Sequence, residues 1–140
     1  MGFKSNFVNI NIFDYSTDCK VCIRSFNDYN RPCVSFAGAL TRNPFLDKLD
    51  KKEQPIDIFI YGSPEMHYKK MRYMGSVDAN ILPSVIEGQY GLLWVDDYEQ
   101  YERDNYMMYN NPHKMSLYIV SGLPIITWSK YAAANFVTRQ

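Results

Sequence analysis

Short runs with β character alternate along this chain with stretches that open on helix-start signals, and that alternation restricts the fold more than any other property. Residues 7–13 (FVNINIF) change polarity at every second position, and 33–37 and 56–61 (IDIFIY) are short apolar runs. Residues 71–77 have weaker strand character, 90–95 (YGLLWV) have strong strand character, and 124–127 closes the series. Helices fit between several of these runs: 44–49, 78–86 with Asp78 as cap, 111–121, and from Ser129 onward with Ser129 as cap. Strands separated by helices read as βαβ units, so the expected class is α/β, a Rossmann-like doubly wound, mainly parallel sheet with helices on both faces. In such sheets ligands bind beyond the carboxyl ends of the strands, where loops open into helices.

The chain has 140 residues, enough for one domain with a sizeable core. Fifteen basic and fifteen acidic side chains cancel, so no global field draws the molecule to nucleic acid or an anionic membrane, and any anion site must be local. No apolar run approaches the roughly 20 residues that span a bilayer, and the N-terminus lacks a basic segment followed by an apolar core. A cytoplasmic protein without a membrane span is expected. Its three cysteines, Cys19, Cys22 and Cys33, are an odd number, which fits a reducing compartment better than a paired framework. The C-x-x-C at Cys19 and Cys22 is not completed by a second pair or a histidine cluster, so no metal site is expected. The chain stops at Gln140 inside a helical run, 131–139, and either a domain incomplete at its C-terminus or an unusually short form of it is expected.

Three strand ends carry groups suited to a ligand. After 33–37 come Gly38, which permits close backbone approach, and Arg42, which grips phosphate oxygens through two N–H groups. After 56–61, the ring of Tyr61 is placed to stack on a base while Gly62 makes room. After 90–95 a polar, tyrosine-rich stretch, 96–108, leads as a connector or a lid to Asn111-Pro112-His113-Lys114. Asn111 is a favoured N-cap and Pro112 suits the first helical position. A helix start of this kind presents free N–H groups and a positive dipole end to phosphate or carboxylate. Lys114 in the first turn is badly placed for that dipole unless a negative ligand is present, and His113 is either a phosphate donor or an ordinary first-turn residue. No catalytic constellation is visible: His67 and His113 fit no triad or metal spacing, and the adjacent Asp96 and Asp97 would point in different directions.

The tract from Tyr109 through Asn111-Pro112-His113-Lys114, Ser116-Leu117-Tyr118 and Gly122-Leu123-Pro124 to Trp128-Ser129-Lys130 resembles a known family. It is similar to the C-terminal nucleotide-sugar half of bacterial glucosyltransferases that extend O-glycans on serine-rich adhesins, and of related galactofuranosyltransferase-like enzymes. Ile12-Phe13-Asp14-Tyr15, Phe36-Ala37-Gly38, Tyr61-Gly62 and Tyr90-Gly91-Leu92-Leu93-Trp94 agree in order, so the resemblance covers nearly the whole chain. It implies a GT-B type transferase: two Rossmann-like domains facing a cleft, a UDP-sugar held mainly by the C-terminal one, and no required metal or other cofactor. It also implies that residues 1–140 are the donor-binding domain, that Gly38, Arg42, Tyr61, Asn111 and Lys114 contact the nucleotide diphosphate, and that the N-terminal domain for a glycan or glycoprotein acceptor is absent. Ala39 departs from the pattern, standing where the family usually has Asn.

The function expected on these grounds is donor binding for hexose transfer from a UDP-sugar to a hydroxyl acceptor, eased by stabilising the departing phosphate. A non-catalytic nucleotide-binding or subunit-interaction module is the alternative. A flavodoxin-like redox or signalling domain fits the alternation but lacks the matching phosphate loop or acidic signature. Trp94, Trp128 and the twelve tyrosines suit a homo-oligomer interface as well as the filling of a small core.

Overall fold

The computed structural model describes residues 17–18, 29–95, 107 and 112–137. The predicted strand at 7–13, the Cys19/Cys22 pair, nearly all of the 96–108 stretch and the cap residue Asn111 lie outside them. The described chain runs β1 (Cys33–Ala37), a 3-10 turn (Leu40–Arg42), α1 (Phe45–Asp50), β2 (Asp57–Tyr61), β3 (Arg72–Gly75), α2 (Leu82–Val85), β4 (Tyr90–Leu93), α3 (His113–Val120), β5 (Ile125–Thr127) and α4 (Ala132–Val137). The strands form one sheet in the order β3-β2-β1-β4-β5, and every neighbouring pair is parallel. This is the Rossmann-like α/β architecture expected.

β1 is central and buried along its whole length, which is why it reads as an unbroken apolar run. Because successive side chains point to opposite faces, Cys33 and Ala37 join one core with Phe59, Leu93, Met115 and Tyr118, beneath α3 and α4. Phe36 points the other way, into a second core with Leu40, Phe45, Leu46, Ile58 and Ile60 around α1. The Phe36 and Phe45 rings meet edge to face there at 5.4 Å. That second face is covered over β1 and β2 but open toward β5, where Val34, Leu92, Trp94 and Ile126 line an apolar groove of about 350 Å³.

β2 returns to β3 through a loop without a helix. The carboxylate of Asp50, at the end of α1, pins that loop by accepting the backbone N–H groups of Lys69 (2.9 Å) and Lys70 (2.7 Å). Lys70 also pairs with Glu53 at 2.6 Å.

Three helix starts differ from expectation. Asp78 does not cap a helix directly; its side chain accepts from Asn80 N–H at 2.8 Å, its carbonyl accepts from Ile81 and Leu82, and regular helix begins only at Leu82. Such an Asx turn offers the backbone a local alternative to helix. Pro112 is the N-cap of α3 (φ −73°, ψ 152°) rather than its first helical residue, so His113 opens the helix one position later and no side chain of the cap satisfies it. Likewise α4 starts at Ala132, not after Ser129, because residues 128–131 first make a turn, with Tyr131 N–H donating to the Trp128 carbonyl at 3.0 Å and the two rings meeting edge to face.

Candidate functional site

In the order β3-β2-β1-β4-β5 the chain leaves β1 toward one side of the sheet and β4 toward the other. The crevice at the carboxyl ends of β1 and β4 is therefore the topological switch point, the position where open α/β sheets bind ligands. Residues from three segments meet there: Gly38 and Ala39 after β1, Gly62 after β2, and the first turn of α3.

The two glycines are required by close packing. A Cβ on Gly62 would lie 1.9 Å from the Gly38 carbonyl oxygen, and one on Gly38 would lie 2.7 Å from Lys114 Cε. The strand ends are knitted at this level by Gly38 N–H to the Tyr61 carbonyl and Leu40 N–H to the Ser63 carbonyl, each at 3.0 Å. The Tyr73 hydroxyl donates to the Gly62 carbonyl at 2.9 Å. The result is a shelf whose backbone is bare at Gly38 and Gly62, with Lys114 extended over Gly38.

Lys114 is half-buried. Its Nζ sits 4.0 Å from the centroid of the Phe36 ring, a cation–π contact. No carboxylate among the described residues pairs with it. Burial alone holds its pKa down at about 8, well below the ordinary lysine value. Lys114 belongs to the first turn of α3, which begins at His113, so the positive end of the helix dipole lies beside its ammonium group. The crevice thus combines an ammonium group without a carboxylate partner among the described residues, a helix start and open backbone, an arrangement that favours an anion.

The other expected site residues are distributed unevenly. Arg42 ends the 3-10 turn directly after the shelf; its side chain is exposed and has no partner among the described residues. His113 is exposed at the first position of α3. Tyr61 takes a different place from the one expected of it. It is only 3% exposed, lies in the core beneath α2 and α3, and its hydroxyl accepts from Glu87 N–H at 2.9 Å, so its ring presents no free face to a base.

One residue escaped the sequence reading as part of this architecture. Tyr118, fully buried, has its hydroxyl between β1 and β4, accepting from Ala37 N–H and donating to the Leu92 carbonyl, both at 3.1 Å. Gly91 makes room for the ring: a Cβ there would lie 2.3 Å from Tyr118 Cγ. A glycine inside the strong strand run 90–95 was the available signal, since an interior strand glycine marks a close approach.

A family model described as "Glucosyltransferase 3-like, C-terminal domain" matches residues 34–140, a span that takes in every element of the crevice. The chain is also 32% identical over 139 residues to the beta-1,6-galactofuranosyltransferase WbbI of Escherichia coli (strain K12). That alignment covers 92% of this chain and 39% of the relative, so the chain spans about two fifths of that protein's length.

Proposed function

The chain belongs to the glucosyltransferase 3-like C-terminal domain family, and from that membership we propose that it is the donor-binding part of a glycosyltransferase that moves a hexose from a UDP-sugar to a hydroxyl acceptor. Lys114 carries the proposal. An ammonium group held at the switch point, over bare backbone and without a carboxylate partner among the described residues, suits the diphosphate of a nucleotide sugar. As the glycosidic bond breaks, negative charge accumulates on the departing UDP, and a fixed cation with helix N–H groups stabilises it more than it stabilises the bound donor. Arg42, at the end of the 3-10 turn that follows β1, is the second cation proposed for the diphosphate, which a guanidinium can grip through two N–H groups. Gly38 keeps the shelf clear and His113 opens the helix; Asn111, two residues before His113 in the sequence, is proposed as a further donor-binding residue.

In this reading the diphosphate charge is met by side chains and helix rather than by a protein-bound metal, and the acceptor site, with any catalytic base, is supplied by another part of a two-domain GT-B type protein working in the cytoplasm. Isothermal titration of the chain with uridine, UMP, UDP and UDP-sugars tests it. UDP should bind at least about tenfold more tightly than UMP, one decade being about 1.4 kcal/mol. Equal affinities, or no binding of any of the four, would remove the donor assignment. The chain spans only 39% of its relative, and this favours one other reading, a nucleotide-binding module without its own transfer activity. Binding of UDP-sugar with neither hydrolysis nor transfer by the chain alone is the outcome that reading requires.

A further inference from the structure

In a parallel ladder the same rung recurs every two residues along both strands. β1 and β4 pair at Val34↔Tyr90 and Ser35↔Gly91. Continued to the ends of the strands, that register brings Ala37 N–H opposite the Leu92 carbonyl. Instead the Tyr118 hydroxyl stands in the rung, with one 3.1 Å hydrogen bond to each side. Two such legs meeting at a roughly tetrahedral oxygen leave about 5 Å between the amide nitrogen and the carbonyl oxygen, against about 2.9 Å for a direct bond. The seam between the two halves of the sheet is therefore held open by about 2 Å at the switch point.

The same residue fixes what lies above the opening. Tyr118 is four residues after Lys114, so the two share a face of α3. Its ring rests against Gly91 of β4, and its backbone carbonyl accepts from Leu123 N–H at 2.8 Å, locking the exit from the helix. Its hydroxyl holds Ala37, and the next residue is Gly38, on which Lys114 lies. One phenol thereby sets both partners of the Lys114–Gly38 contact: the helix through its ring, and the strand end through the Ala37 amide.

Building on the donor-site reading above, we propose that Tyr118 is a positioning residue, a wedge whose hydroxyl keeps β1 and β4 apart so that the first turn of α3 and the Gly38 shelf face a diphosphate at the correct separation. Tyr118 itself touches no ligand. Removing its hydroxyl lets Ala37 N–H bond the Leu92 carbonyl directly, which closes the rung with little loss of stability but misplaces the site.

The test is Tyr118→Phe, followed by UDP titration, a melting curve and backbone amide NMR. The expected result is a folded protein whose melting temperature lies within a few degrees of the parent, whose Ala37 amide resonance reports a changed hydrogen bond, and whose UDP affinity is at least tenfold weaker. Parental UDP affinity in the variant would overturn the proposal, and so would a variant that fails to fold, since the hydroxyl would then serve stability alone. In the parent protein the Tyr118 hydroxyl proton should exchange slowly and show a nuclear Overhauser contact to the Ala37 amide; its absence overturns the wedge whatever the variant does. If the parent binds no UDP, the donor reading falls by itself. The wedge is then decided by the Ala37 amide, whose change in Tyr118→Phe supports it and whose constancy overturns it.

Discussion

The ammonium nitrogen of Lys114 lies 4.0 Å from the centre of the Phe36 ring, so a cation carried by α3 is seated on an aromatic side chain of the central strand. Phe36 belongs to the second core and is fully buried, which leaves its ring little freedom to move. The charge is thus held over the carboxyl end of β1 before any anion arrives, and preorganisation of this kind reduces what binding must order.

Lys114→Ala should weaken UDP binding at least about tenfold, since a charge-assisted hydrogen bond is worth roughly 1.5–3 kcal/mol. Stability should hold or rise slightly, because the substitution removes a partly desolvated cation from the positive end of a helix. Lys114→Arg should not restore affinity: the space beside Gly38 is already filled to contact by the lysine chain, and a guanidinium is wider. Calorimetric titration and melting curves on both variants measure these effects.

The pH dependence of binding and of folding should have opposite signs. Burial lowers the Lys114 pKa from 10.5 to about 8. Between those values the unfolded chain binds the proton and the folded chain does not, so this group makes stability rise with pH across that window. Binding of UDP needs the protonated form, and affinity should fall as pH rises above about 8. Because a bound anion favours the ammonium form, titrations near pH 8 in buffers of different ionisation enthalpy should show proton uptake. A binding enthalpy independent of buffer would contradict the assignment of Lys114 to the site.

Gly91→Ala should destabilise the fold by about 1–3 kcal/mol or more, the usual range for overpacking a core, because the added methyl meets the fully buried Tyr118 ring. Gly75→Ala is the control: a Cβ there meets nothing within 4 Å, and only the positive φ of +100° opposes it. Denaturant midpoints should rank parent, Gly75→Ala, Gly91→Ala in falling order.

Asp50→Ala should lower the melting temperature and leave UDP affinity unchanged. It removes the acceptor of the Lys69 and Lys70 amides just before β3, at the edge of the sheet opposite the crevice. Partial burial pushes the Asp50 carboxyl up, but hydrogen bonds from the Lys69, Lys70 and Met71 amides outweigh it and hold the group below its ordinary value. This contribution is present above the unfolded carboxylate range and is lost as pH falls through the folded value. The acid limb of the parent's stability curve should flatten in the variant.

Much of the fold is legible in the sequence because parallel strands buried on both faces appear as apolar runs. Residues 33–37 are recovered as β1 to the residue, and 56–61 and 90–95 contain β2 and β4. Helix starts are less legible. The signals at Asp78 and Pro112 mark where the chain turns toward a helix, not where the first helical residue falls; a local side-chain bond sets the difference at Asp78, and the extended backbone of Pro112 sets it at α3. The site is legible in kind but not in arrangement. Gly38 and Lys114, 76 positions apart in the sequence, can be nominated separately, but their contact depends on the strand order, which no local pattern encodes. Tyr61 follows a strand run as a ligand residue does, yet its place at an inward-facing position makes it part of the core.

The rung occupied by Tyr118 also has a mechanical consequence. β1 and β2 stay in register from Cys33↔Asp57 through Ala37↔Tyr61, whereas β1 and β4 pair directly only at Val34↔Tyr90 and Ser35↔Gly91. The sheet is thus two leaves joined along a short spine, with a phenol as the last stitch. Under mild denaturant the leaf built from β4, α3, β5 and α4 should open as one cooperative unit before β1 and β2 part. The crevice at the end of that spine would then be the most compliant place in the molecule.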